Sequence, residues 1–176
     1  MTPSAITVGP LEPRHRKQIE EIVRATGVFS DGEVGVALEV FDATSDYEFV
    51  GAFSAEHLIG YACFGATPST DRTFDLYWIA VHPEAQRSGA GSILMEEVER
   101  RLAERRARML IVETSAREDY ASTRSFYHKH GYVEAARLRD FYGPGDDRVV
   151  LGKRFTGSRD PGGNAAARPL PVQRYE

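Results

Sequence analysis

The chain has one cysteine in 176 residues, Cys63, so no disulfide can form within it and a small cross-linked scaffold is excluded. Basic blocks are missing too. Its 22 Lys and Arg stand against 26 Asp and Glu, a net charge of −4, which speaks against a nucleic-acid surface or an anionic membrane as partner. Nowhere do about eighteen apolar residues run together, the length a transmembrane helix needs. The first residues, MTPSAITVGP, lack the basic stretch followed by an apolar stretch that marks a secretory signal. A soluble, cytoplasmic protein is therefore expected, with a small-molecule or peptide partner, no nucleic acid and no membrane; a homodimer is left open. Cys63 lies inside LIGYACFG and reads as a small core residue rather than a nucleophile.

What is present is an alternation of strand and helix patterns. AITV (5–8) reads as a short strand, and 12–27 as a helix with Ile19, Ile22 and Val23 at helical spacing before Gly27. Ser30 and Glu33 have the spacing of a capping box and open a second helix to about Phe41. Two strands at 47–54 and 58–67 follow as a hairpin, then a strand at 73–81. A helix from about Gly91 to Arg106 puts Ile93, Leu94, Val98 and Leu102 on one face. MLIVET (109–114) is a buried-strand run, 120–131 a last helix stopped by Gly131, and 132–140 and 147–155 two strands joined by the loop FYGPGD. This order predicts an α/β fold over residues 1–155, one mixed sheet of six to seven strands with helices on both sides. Residues 156–176, rich in Gly, Pro, Ala and Arg, read as a disordered tail.

Between the strand at 73–81 and the helix that follows stands QRSGAGS (86–92). Two glycines and a serine at a helix start leave backbone N–H groups unshielded, and Arg87 adds positive charge: the local chemistry of an anion site. A P-loop would need a lysine after these glycines, and there is none. A dinucleotide fingerprint would need a third glycine where Leu94 stands. Both ATP and NAD are poor candidates for the phosphate ligand.

Gln86-Arg87-Ser88-Gly89-Ala90-Gly91 resembles the Gln/Arg-x-x-Gly-x-Gly/Ala motif of the GNAT superfamily of N-acetyltransferases. It follows a strand ending Ile79-Ala80-Val81-His82-Pro83 and precedes an amphipathic helix. About forty residues later Phe126-Tyr127-His128-Lys129-His130-Gly131-Tyr132 resembles the family's Phe-Tyr-x-x-x-Gly-Phe/Tyr segment. The resemblance implies a mostly antiparallel sheet that splays between its fourth and fifth strands, about four flanking helices, and acetyl-CoA as acetyl donor with no metal. It implies that backbone groups at Ile79, Ala80 and Val81 pair with the pantetheine arm. Arg87, Ser88, Gly89, Ala90, Gly91 and Ser92 would hold the diphosphate, and Tyr127 would protonate the departing thiol. The pattern departs from the family at Tyr120, where an Asn is common, and at Thr123, where an Ala is usual.

Asp75, eleven residues before Gln86, matches an acidic general base of some family members. An extended strand would put it on one face with Tyr77, Ile79 and Val81. A strand-start carboxylate that only holds a cationic substrate is the other reading, and His82 is a weaker base candidate. His128 and His130 have no neighbouring carboxylate or cysteine in sequence, so no metal is inferred. For the acceptor, GVFSDGE (27–33) and DFYGPGDD (140–147) combine aromatics with carboxylates: Phe29, Asp31 and Glu33 in the first, Asp140, Phe141, Tyr142, Asp146 and Asp147 in the second. Phe29, Asp140 and Tyr142 are the substrate-binding candidates, suited to an ammonium group. Ordinary capping and turn chemistry accounts for the same residues. Two functions stay open: an acetyl-CoA-dependent transferase acting on a primary amine of a small molecule or peptide by direct attack, or a non-catalytic acyl-CoA sensor of the same fold.

Overall fold

The computed structural model describes residues 5–43 and 47–155, so the expectation for 156–176 lies outside the described residues. Seven strands form one sheet: β1 (Ile6–Gly9), β2 (Glu48–Ser54), β3 (His57–Ala66), β4 (Thr73–Val81), β5 (Met109–Ser115), β6 (Val133–Gly143) and β7 (Asp146–Arg154). Their order is β1-β2-β3-β4-β5-β7-β6, and every neighbouring pair is antiparallel except β4 and β5. Helices α1 (Arg16–Thr26) and α2 (Asp31–Asp42) pack on one face, α3 (Ala90–Glu104) and α4 (Ala121–Lys129) on the other. No helix among the described residues is long and apolar enough to cross a membrane.

The helix ends follow from the residues read in sequence. Gly27 takes φ 71 just past α1, a left-handed conformation that glycine reaches without a Cβ clash. Ser30 caps α2 through Glu33 N–H, and Glu33 returns its carboxylate to Ser30 N–H, both halves of a capping box. Leu94, Met95, Val98 and Leu102 of α3 are wholly buried on the sheet, each contributing about 1.5–3 kcal/mol of burial. Ile19, Ile22 and Val23 of α1 do the same on the opposite face, around Leu58, Tyr61 and Cys63. Cys63 is buried there and its thiol is pushed up to about 12 by loss of solvent.

Two features of the sheet position the site. The parallel pairing of β4 with β5 runs only from Thr73 opposite Met109 to Leu76 opposite Val112, after which the strands part. Beyond Leu76, β4 keeps β3 as its partner on one edge only. Second, Cys63 pairs with Trp78 and Phe64 with Leu76, so Tyr77 bulges out of the ladder. The extra residue reverses the alternation. Phe74, Leu76, Ile79 and Val81 all pack toward α3, whereas Asp75, Trp78 and Ala80 turn toward α1 and α2. The expectation that Asp75 shares a face with Ile79 and Val81 is thus corrected, because a period of two holds only in an unbroken ladder. The segment read as the loop 140–147 is corrected too: β6 runs on to Gly143 and β7 starts at Asp146, leaving only Pro144 and Gly145 between them.

Candidate active site

The loop after β4 is shaped by its own backbone. His82 N–H donates to Ile59 O, and the His82 ring nitrogen accepts from Glu84 N–H at 3.3 Å, which fixes the exit from the strand. Arg87 (φ 63) and Gly89 (φ 91) are both left-handed, turning the chain into α3. Ser88 donates its hydroxyl to Ala85 O at 2.5 Å and accepts from Ala90 N–H at 3.3 Å, so its side chain holds the turn itself. The next N–H groups, of Gly91 and Ser92, begin a helix and have no intrahelical acceptor upstream. Among the described residues nothing lies within 4 Å of where a Gly89 Cβ would be, so the approach to these N–H groups is open on that side. Arg87 is exposed and forms no ion pair among the described residues. At Gly91 a Cβ would stand 3.3 Å from Phe126, which is how α3 and α4 come together beside Val81.

On the other side of the parting strands lies a cavity of about 670 Å³. Phe29 and Glu33 line it from the start of α2, Asp75, Tyr77 and Trp78 from β4. Glu113, Thr114 and Ser115 come from β5, Arg117 and Tyr120 from the segment after it, Tyr142 and Asp146 from the β6–β7 hairpin. Phe29 and Trp78 pack with ring centroids 5.4 Å apart, and Tyr47 meets Tyr77 edge-on at 5.1 Å. Asp75 is half-buried and accepts from the Thr67 hydroxyl at 2.6 Å. Asp146 accepts from the Ser115 hydroxyl at 2.5 Å. Glu113 is ion-paired with Arg148, which lies over the Phe141 ring, and Arg117 is ion-paired with Asp119. The Tyr77 hydroxyl is held above its ordinary value first by burial and then by Asp75. For Tyr142 the causes are burial, then Asp146.

The structure thus brings Asp75, Phe29, Tyr142, Glu33 and Asp146 to one cavity. Asp140 does not line it: its carboxylate accepts from Gly145 N–H at 2.6 Å and holds the hairpin turn, while its own N–H donates to Asp147. Asp31 is paired with Arg24, and Asp147 reaches Arg137. Tyr127 is only 4% exposed, packed at 5.4 Å against Phe126 and 5.8 Å against Tyr132, and burial raises its phenol pKa. It belongs to the core cluster on the α3 side and is not among the residues lining the cavity. His128 and His130 are apart in role: His128 Nδ1 meets Tyr132 O, and His130 Nε2 meets the Ser92 hydroxyl at 3.1 Å. Among the described residues no three His, Cys, Asp or Glu side chains gather as a metal site.

Sequence reading missed Trp78, Glu113, Ser115 and Arg117, and noted Tyr120 only as a departure. Trp78 could have been found only by placing the bulge, which no local pattern in TFDLYWIAV announces. The β5 residues could have been suspected from the splay, since strands that part expose both their inner edges.

With the geometry in place, the comparisons are specific. The model of the acetyltransferase (GNAT) family matches residues 16–132. A GNAT-family protein of Desulfovibrio desulfuricans superposes with a TM-score of 0.81 at 37% identity, covering 85% of this chain and 99% of that one. The ribosomal-protein-S18-alanine N-acetyltransferase of Escherichia coli follows at TM-score 0.72 and 20% identity, over 85% and 94% of the two chains. YncA of Salmonella typhimurium, solved with its cofactor acetyl-CoA, gives 0.68 and 18%, over 85% and 94%. A search of the curated proteins found no match.

Proposed function

We propose, from the premise that this chain belongs to the GNAT family of acetyltransferases, that it moves an acetyl group from acetyl-CoA to a primary amine of a small molecule or peptide. The observation that carries this reading is the parting of β4 from β5. One strand edge without a strand partner among the described residues leads, on the α3 side, to the open N-terminus of a helix, and on the other to an acidic and aromatic cavity. The loop fits the cofactor's diphosphate: Gly89 keeps a side chain away from the first-turn N–H groups, and Arg87 has no anionic partner among the described residues. Ile79, Ala80 and Val81 would offer backbone groups to the pantetheine amides as a neighbouring strand would. Bound acetyl-CoA supplies a thioester carbon open to attack.

The chain's own residues would do the rest. Asp75, held by Thr67, takes a proton from the entering ammonium directly or through water, since only the neutral amine is nucleophilic. An N–H near Val81 polarises the carbonyl. Tyr127 donates a proton to the leaving sulfur, and its raised pKa keeps the phenol protonated through neutral pH. Phe29 and Tyr142 would hold the amine's carbon chain and its charge. Purified protein incubated with acetyl-CoA and a panel of primary amines should release free thiol only when an amine is present. A protein that binds acetyl-CoA tightly and releases no acceptor-dependent thiol would be the sensor instead.

A further inference from the structure

We propose that the acceptor carries a second cationic nitrogen besides the one that is acetylated, with the reacting end beside Asp75 and the other end between Glu33 and Asp146. This rests on reading the cavity as the acceptor site.

The cavity holds four carboxylates, and their partners divide them. Glu113 is neutralised by Arg148. The other three are held by neutral donors alone among the described residues: Asp75 by the Thr67 hydroxyl, Asp146 by the Ser115 hydroxyl, Glu33 by the N–H and hydroxyl of Ser30. Hydroxyl and amide donors orient a carboxylate without cancelling its charge. The guanidinium in the lining, Arg117, is engaged by both Asp119 oxygens and reaches Asp146 only through space.

These anions form two poles along β5: Asp75 stands opposite Ile111, whereas Asp146 is bonded to Ser115, four residues further along the strand. Tyr120 and Tyr142, in the same lining, lie in the field of Asp146 and Glu33. At the Asp75 pole the acceptor must lose charge: the ammonium gives one proton to Asp75 before attack, the N–C bond forms and the C–S bond breaks, and the nitrogen sheds a second proton, matched by the one the sulfur gains as it leaves as a thiol. An acceptor with one nitrogen is then neutral, and Glu33 and Asp146 face an uncharged ligand. A second ammonium, a few methylenes away, keeps its charge throughout and stays between two carboxylates and two aromatic rings, the surroundings that favour a cation. Thr114 lines the same cavity at 6% exposure, with a buried hydroxyl that has no partner among the described residues and can serve an acceptor N–H. The volume of about 670 Å³ is in the range of small-molecule sites.

Thiol release should be compared for 1,4-diaminobutane, butylamine and 4-aminobutanoate, which share a reacting end and differ in the charge of the other. The expected order of kcat/KM is diamine first by about tenfold or more, then monoamine, then the amino acid, with the first gap shrinking at high salt. Glu33→Gln, which keeps the capping box, and Asp146→Asn should each narrow the diamine-to-monoamine ratio. In parallel, calorimetry on the coenzyme A-loaded protein reads binding of the same three molecules. Diamine binding with no thiol from any amine would support the second-cation site and remove the transferase reading. Equal kcat/KM and equal affinity for diamine and monoamine, or a lead for 4-aminobutanoate, would overturn the inference while leaving acetyl transfer intact.

Discussion

The two sides of the splayed strands are built by opposite means. The proposed diphosphate loop on the cofactor side is seven consecutive residues, 86–92, and its chemistry is backbone chemistry: two left-handed turns, two glycines and the first N–H groups of a helix. The proposed acceptor side is side-chain chemistry from segments far apart in sequence, from Phe29 through Asp75 and Ser115 to Asp146, which meet only after the sheet has formed. A site made of backbone is fixed by local sequence and serves one ligand. A site made of scattered side chains can change its ligand by substitution without disturbing the fold.

That contrast can be broken most sharply at Tyr127, a side chain on the cofactor half. Tyr127→Phe keeps the buried ring and removes one oxygen, so kcat should fall on the order of a hundredfold with acetyl-CoA affinity hardly changed. Steady-state kinetics with thermal melts decide it: full kcat with a shift worth about 1 kcal/mol would make Tyr127 a packing residue alone. Next in size is Gly89→Val. The position has open space but φ 91, so the protein should fold with some strain and lose acetyl-CoA affinity by about tenfold or more, read by calorimetry. Unchanged affinity in a folded variant would remove the diphosphate assignment.

On the acceptor half, Asp75→Asn should lower the rate by about tenfold near neutral pH and less at high pH, where the amine is deprotonated without help. Profiles of identical shape in both proteins would leave Asp75 a mere charge partner. Phe29→Ala should raise the amine KM by a few-fold, as expected for a lost cation–π contact of about 1 kcal/mol, and leave acetyl-CoA affinity alone. An effect on both ligands would mean that the halves are not separable. The smallest expectation lies outside both. Hydrogen bonds from Arg100 and then Arg101 pull the Glu97 carboxylate down to about 2. A depressed carboxylate stabilises the fold above its ordinary value of 4.5 and loses that contribution as pH falls toward about 2. With Arg100 at 55% exposure the effect of Glu97→Gln should stay below about 1 kcal/mol in acid melts.

The same contrast explains what was legible. Periodicity and punctuation placed the seven strands and four α-helices of the described residues, because Gly27, the Ser30–Glu33 box and the α3 apolar face act over a few residues. QRSGAGS was readable for the same reason. What escaped depends on register: the bulge at Tyr77 set the direction of Asp75 and brought Trp78 to the cavity, and bulges depend on the partner strand. Asp140 looked like a ligand-binding carboxylate in a loop, yet the loop is two residues long and the carboxylate closes it. Whether a turn carboxylate faces a ligand or its own backbone is set by hairpin length, which FYGPGD left ambiguous.

The central claim is that both halves are filled at once and the acetyl group crosses directly between them. Initial rates measured while acetyl-CoA and a turned-over amine are both varied test it, with mass spectrometry of the protein after exposure to acetyl-CoA alone. Direct transfer predicts intersecting double-reciprocal lines and no acetylated protein, consistent with a sole cysteine buried in the core with its thiol raised to about 12. Parallel lines together with an acetyl adduct on the chain would contradict it.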